Sequence, residues 1–225
     1  MDIPVIPLRI GNGNLLASHM TFVGTSITMS GNCVGYGDLL SSLSDVCGKD
    51  APILAVDAEG MRRKDIVPEL VRKIRSKREL WLMTGIRNAG DVMDAFHGDM
   101  NKLAVPYHFT SDALLREITE LSDSCVPVLF TERNDVHAKG KKKDLRNCIR
   151  TLTNMNFRKI LVFDVSGDGA WDSIRNHADT VIPYAPTADD AKELHGLGFD
   201  DVLVSAVKLF RNASGRSEIG SCMLP

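Results

Sequence analysis

Short apolar runs alternate with amphipathic stretches along the whole chain. Eight runs stand out, at residues 3–8, 51–56, 79–83, 102–105, 126–130, 159–163, 180–184 and 201–204. They lack clean apolar–polar alternation, which is the pattern of strands buried on both faces. The stretches between them have helical spacing. Residues 66–75 put Ile66, Leu70, Val71 and Ile74 on one face, and residues 91–96 continue a helix that Asn88 can cap. Residues 111–121 open on Ser111 as an N-cap and space Leu114, Leu115, Ile118 and Leu121 as one apolar stripe. Residues 145–152 align Leu145, Ile149 and Leu152, and residues 187–197 begin on a Thr-x-x-Asp capping pattern and stop at Gly198. Strands alternating with helices predict a parallel sheet. A count of eight predicts closure, so the expected fold is α/β, a single (β/α)8 barrel over residues 1–211 with a loosely ordered tail at 212–225. Residues 11–37, rich in Gly, Asn, Ser and Thr, read as a long first loop with room for a hairpin, and residues 140–143 as a basic turn.

Composition narrows the function classes. Hydrophobic residues make up 44% of the 225, enough for a sizeable core, and a net charge of -2 points to neither nucleic acid nor an anionic membrane surface. The five cysteines, Cys33, Cys47, Cys125, Cys148 and Cys222, form no CxxC pair and no zinc-spaced cluster with histidine. They read as reduced thiols in a cytoplasmic protein. No apolar run approaches the ~20 residues of a membrane span, and the N-terminus lacks a signal-peptide pattern. Gly11-Asn12-Gly13 is a turn rather than a nucleotide fingerprint, because no third glycine opens a helix. No metal and no cofactor are expected.

Six motifs in chain order resemble the HisA/HisF-like isomerase/cyclase barrels of histidine biosynthesis. They are Ile3-Pro4-Val5-Ile6-Pro7-Leu8, Gly37-Asp38-Leu39-Leu40, Ala55-Val56-Asp57-Ala58-Glu59-Gly60, Thr84-Gly85-Ile86-Arg87, Asp164-Val165-Ser166-Gly167-Asp168-Gly169 and Thr187-Ala188-Asp189-Asp190. The resemblance implies the barrel. It does not carry the family's reaction across. The first-strand aspartate of the family's acid/base pair falls on Pro7, and the strand-five aspartate has no counterpart in Val126-Pro127-Val128-Leu129-Phe130-Thr131-Glu132, where Glu132 is the nearest carboxylate. The glycine turns that hold substrate phosphates in that family are replaced by Pro106-Tyr107, Ala185-Pro186 and Ser205-Ala206, and Pro186 has no N–H to offer.

Sites in such barrels form at the C-terminal ends of the strands. That rule nominates Asp57, Asp164 and Glu132 as acids and bases, and Thr84, Arg87, Tyr107, His108, Asp168, Tyr184 and Ser205 as substrate-binding residues. Glu59 and Arg133 lie on the same rim. Each has a structural reading beside the functional one: Asp57 and Asp164 as acceptors for loop N–H groups, Arg87 as a helix cap, His108 as a core histidine bonded to backbone. Three functions remain open. The first is a divergent enzyme, isomerase or lyase in type, acting on a small phosphorylated or carboxylated metabolite. The others are the histidine-pathway aminoaldose isomerase with rebuilt catalysis, and a non-catalytic binding or scaffold subunit with a protein partner or a second copy of itself.

Overall fold

A computed structural model describes residues 1–209 apart from 24, 48, 49, 99, 168 and 170. The tail expected at 212–225 and the nominated Asp168 lie outside the described residues. Eight parallel strands form the barrel: β1 (Asp2–Gly11), β4 (Ile53–Asp57), β5 (Leu80–Met83), β6 (Lys102–Pro106), β7 (Cys125–Glu132), β10 (Ile160–Asp164), β11 (Val181–Ala185) and β12 (Val202–Ser205). The ring closes where β10 pairs with β7, Leu161 opposite Val128 through Asp164 opposite Thr131. All eight coincide with the apolar runs of the sequence to within three residues at either end.

The helices lie between successive strands: α1 (Tyr36–Val46), α2 (Ala58–Arg63), α3 (Pro68–Lys73), α4 (Ala89–Phe96), α5 (Asp112–Leu121), α6 (Leu145–Asn154) and α7 (Ala188–Gly196). Local signals fix their starts. Asn88 accepts the Asp91 N–H, Ser111 the Leu114 N–H and Asp144 the Asn147 N–H. Thr187 and Asp190 form a reciprocal capping box, and α7 is followed by Gly198 at φ +98°. Among the described residues after β10, two 3-10 turns, Trp171–Ser173 and Arg175–His177, stand where a barrel normally carries a helix.

Strand alternation sorts the core into two layers. Ile3, Val5, Leu54, Val56, Trp81, Met83, Phe130, Phe163, Ile182 and Leu203 fill the barrel interior. Their neighbours Ile6, Leu8, Ile53, Ala55, Leu82, Leu129, Val162 and Val204 face the helices.

Two hairpins stand above the mouth. The stretch at 11–37, read as a long loop with room for a hairpin, is mostly hairpin: β2 (Asn14–Val23) and β3 (Ser26–Gly35) form a ribbon continuing antiparallel from β1 and followed by α1. Ser26-Ile27-Thr28-Met29-Ser30 alternates as a half-buried strand does, which the Gly and Asn content of the region obscures. The basic turn at 140–143 is largely β9 (Lys141–Asp144), paired with β8 (Asp135–Ala138).

Thr187→Ala removes the side-chain half of the capping box, the acceptor for the Asp190 N–H, and is expected to cost about 1 kcal/mol. Urea denaturation would show a lower midpoint with an unchanged slope.

Candidate functional site

The centre of the mouth is filled by rings. Phe130, Phe163 and Tyr184 project inward from consecutive strands, with Phe130–Phe163 and Phe163–Tyr184 centroids 5.5 and 4.9 Å apart in stacked pairs. Phe22 of the β2–β3 ribbon covers them, 5.8 Å from both phenylalanine rings and 6.1 Å from Tyr184. Met20 and Ile27 join the same cluster, so the ribbon lays its apolar face over the barrel. Pro7 opposes Val56 lower in the barrel. Neither Pro7 nor Phe130 offers an ionisable group.

The same alternation turns several nominated residues away from the mouth. Asp57 and Thr84 directly follow the inward Val56 and Met83 and are fully buried. Asp57 Oδ1 accepts the Gly60 N–H at 2.8 Å, and its Oδ2 accepts the Thr84 hydroxyl at 2.8 Å. A Cβ on Gly60 would overlap both side chains, so the knot admits only glycine there. Asp57 caps α2, and burial raises its pKa despite these bonds. It has the structural role of the two weighed from sequence. Tyr107 is likewise buried on the helix side, donating to Asp112 Oδ1 at 2.9 Å and accepting from Lys143 Nζ at 2.6 Å. Arg87 pairs with Asp65 at 2.8 Å, while its N–H donates to Asp91 at 2.7 Å, which ties the α4 start to the loop beneath. Glu132 is exposed and bonded to Lys142 at 2.8 Å, which lowers its pKa.

Three nominated residues do face the interior or the rim. Tyr184 and Ser205 are buried and bonded to each other, and burial pushes the Tyr184 hydroxyl up to about 12. His108 packs edge-on against Phe109 and Phe130, with centroids 4.4 and 5.0 Å away. Its Nδ1 is buried without a hydrogen-bond partner, so the backbone bond expected of a core histidine is absent at that atom. Burial, followed by the nearby Lys64 and His137, pushes the imidazole down to about 4.

Among the nominated carboxylates, Asp164 lines a cavity. Its Oδ1 accepts the Ser166 N–H and hydroxyl at 3.1 and 2.8 Å. The cavity, about 340 Å³, lies between the ends of β10 and β11 and the start of α7. Trp171, Tyr184 and Pro186 form its apolar walls, and Asp164, Asp190 and Glu193 its polar ones. Among the described residues, the lining holds no lysine or arginine. Sequence reasoning missed Trp171 and Glu193, because the fold places them there through the absent helix after β10 and through α7. A larger groove of about 790 Å³ lies at the opposite end, among Arg116, Asp123, Arg158 and Asp179. It is remote from the strand ends where this fold builds its sites.

The start of α7, after the seventh barrel strand, is capped from within. Asp190 Oδ2 accepts the Thr187 N–H at 2.9 Å and the Thr187 hydroxyl at 2.6 Å. A carboxylate thus stands where the α7 N-terminus would attract an anion.

Two pH effects of opposite sign follow. His108 prefers to be neutral in the fold, so it supports stability above the ordinary histidine range near 6.5 and loses that support as pH falls toward about 4. Stability measured by urea should fall across this window, and less so in His108→Phe; equal slopes would exclude His108 as the cause. Asp57, with its raised pKa, favours the fold at low pH and less as pH rises through that pKa. Asp57→Asn keeps an oxygen for the Gly60 N–H and should match or exceed the native stability at pH 7. Asp57→Ala, which leaves the Gly60 N–H bare, should lose about 1–3 kcal/mol. Neither a scan against models of known protein families nor a search of curated proteins matches the chain.

Proposed function

We propose that the protein binds a small organic cation in the cavity between β10, β11 and α7. The ligand would be an amine, amidine or guanidine carried on a planar or apolar body. The observation that carries this reading is the lining itself: three carboxylates, Asp164, Asp190 and Glu193, with no basic residue among them. Trp171 and Tyr184 supply faces for a cation–π contact or for a flat ring. Asp190 is committed to the capping box, which leaves Asp164 and Glu193 to meet the ligand's N–H groups.

The acid/base enzyme class survives in narrower form. Asp57 is buried in a structural knot and Glu132 is paired with Lys142, whereas Asp164 borders the cavity. Asp164 would accept the proton in an isomerase- or lyase-type step. The phosphorylated substrate suggested by the family resemblance is disfavoured, because Asp164, Asp190 and Glu193 on the cavity lining would repel an anion.

Thermal shifts against agmatine, benzamidine, inorganic phosphate and ribose 5-phosphate would test the reading. A ligand at about 100 times its Kd stabilises by about 2.7 kcal/mol, several degrees for a domain of this size. The two cations should shift the melting temperature and the two phosphates should not. Asp164→Asn and Glu193→Gln should each weaken cation binding about tenfold. Stabilisation by the phosphates alone would overturn it.

A further inference from the structure

Trp171 walls the β10–β11 cavity, and its ring is held from several sides. It opens the first 3-10 turn after β10, where its carbonyl accepts the Ile174 N–H at 3.0 Å. The indole meets the buried Phe199 edge-on, centroids 6.4 Å apart, and packs against the helix-side core. It also lies directly against Gly169. A Cβ at that position would stand 2.4 Å from Nε1 and 2.5 Å from Cε2 of the indole. Those separations are far inside contact distance, so any side chain at 169 would push the ring aside.

The second ring wall is equally fixed. Tyr184 is buried, stacked on Phe163 with centroids 4.9 Å apart, touched by Phe22 from the ribbon and bonded to Ser205. Neither ring can retreat without giving up packing, so the ligand's body must conform to them. A puckered, saturated body meets a ring face at a few hydrogens. A flat one meets it across its width, and offset or edge-on ring pairs gain beyond the area they bury. A cation delocalised over a plane also stacks on an aromatic face, as guanidinium groups do.

We infer that the cavity selects a planar, delocalised cation on an aromatic body over a saturated body carrying the same head group, with Trp171 as the residue that makes the choice. Gly169 has no side chain to offer a ligand. It acts through Trp171 as a positioning residue. The inference rests on the cation reading of this cavity and narrows the planar or apolar body of that reading to a planar one.

Benzamidine and cyclohexanecarboxamidine share one head group and differ in the ring. The saturated ring has no less apolar surface, so area alone would not favour benzamidine. In calorimetric titrations of the full chain, benzamidine should bind about fivefold tighter. Trp171→Leu should bring the two affinities together, and Trp171→Phe, which restores a flat ring, should keep the preference. Gly169→Ala should also shrink the preference, with the two affinities closer than in the native chain. The chain has two tryptophans, so Trp171→Leu leaves Trp81 as the reference for fluorescence. Acrylamide quenching of the ligand-free protein should then show Trp171 more accessible in Gly169→Ala than in the native chain. Equal affinities in the native chain, both weakened by Asp164→Asn, overturn the inference and leave the cation reading standing. A preference that survives Trp171→Leu, or a Trp171 no more accessible in Gly169→Ala, overturns it in the same way. Binding of neither amidine overturns both.

Discussion

Pairing of β10 with β7 turns an open sheet into a ring, and the rest of the molecule follows from that closure. Once the ring is closed, each strand position has only two directions, into the barrel or toward the helices. Val56, Met83, Phe163 and Tyr184 go in, so Asp57, Thr84, Asp164 and Ala185 go out. The chemistry available at the mouth is therefore decided residue by residue at the strand ends. Here the inward positions are spent on Phe130, Phe163 and Tyr184, and the polar groups are carried on the outward turns.

This explains which parts of the structure were legible in the sequence. The eight strands were visible because both-faced burial leaves continuous apolar runs, and the helix starts because caps are local: Asn88, Ser111 and Thr187 each bond an N–H three residues on. The ribbon was legible only as room for a hairpin, because Gly and Asn in residues 11–37 read as loop and the alternation in 26–30 is only five residues long. The site was misjudged for a different reason. Nominating the last polar residue of each strand ignores the alternation, and one step along the chain separates a residue in the mouth from one locked behind it. Counting in twos from Val56 would have placed Asp57 outside. The cavity was beyond such counting, because it exists through Trp171 and Glu193, which reach it from elements after the strands.

Charges of both signs surround the mouth. The segments after β4 through β7 carry Arg62, Arg63, Lys64, Arg87, Arg133, Lys139 and Lys141 to Lys143 beside Glu59, Asp65, Glu132 and Asp135, and those at and after the ends of β10 and β11 carry Asp164, Asp189, Asp190 and Glu193 beside Arg175 and Lys192. Several of the basic groups are already engaged, Arg62 and Arg63 with Glu59, Arg87 with Asp65, and Lys143 with Asp112. The acidic side retains a cavity large enough for a small molecule.

The capping box of α7 has an electrostatic consequence. Asp190 accepts the Thr187 N–H and hydroxyl, so a carboxylate sits at the helix start, where the helix dipole is positive. Replacing that carboxylate by a neutral side chain would cost the helix part of its cap and leave the positive end of the dipole less opposed. One side chain therefore sets both where α7 begins and the sign of charge that its first turn presents.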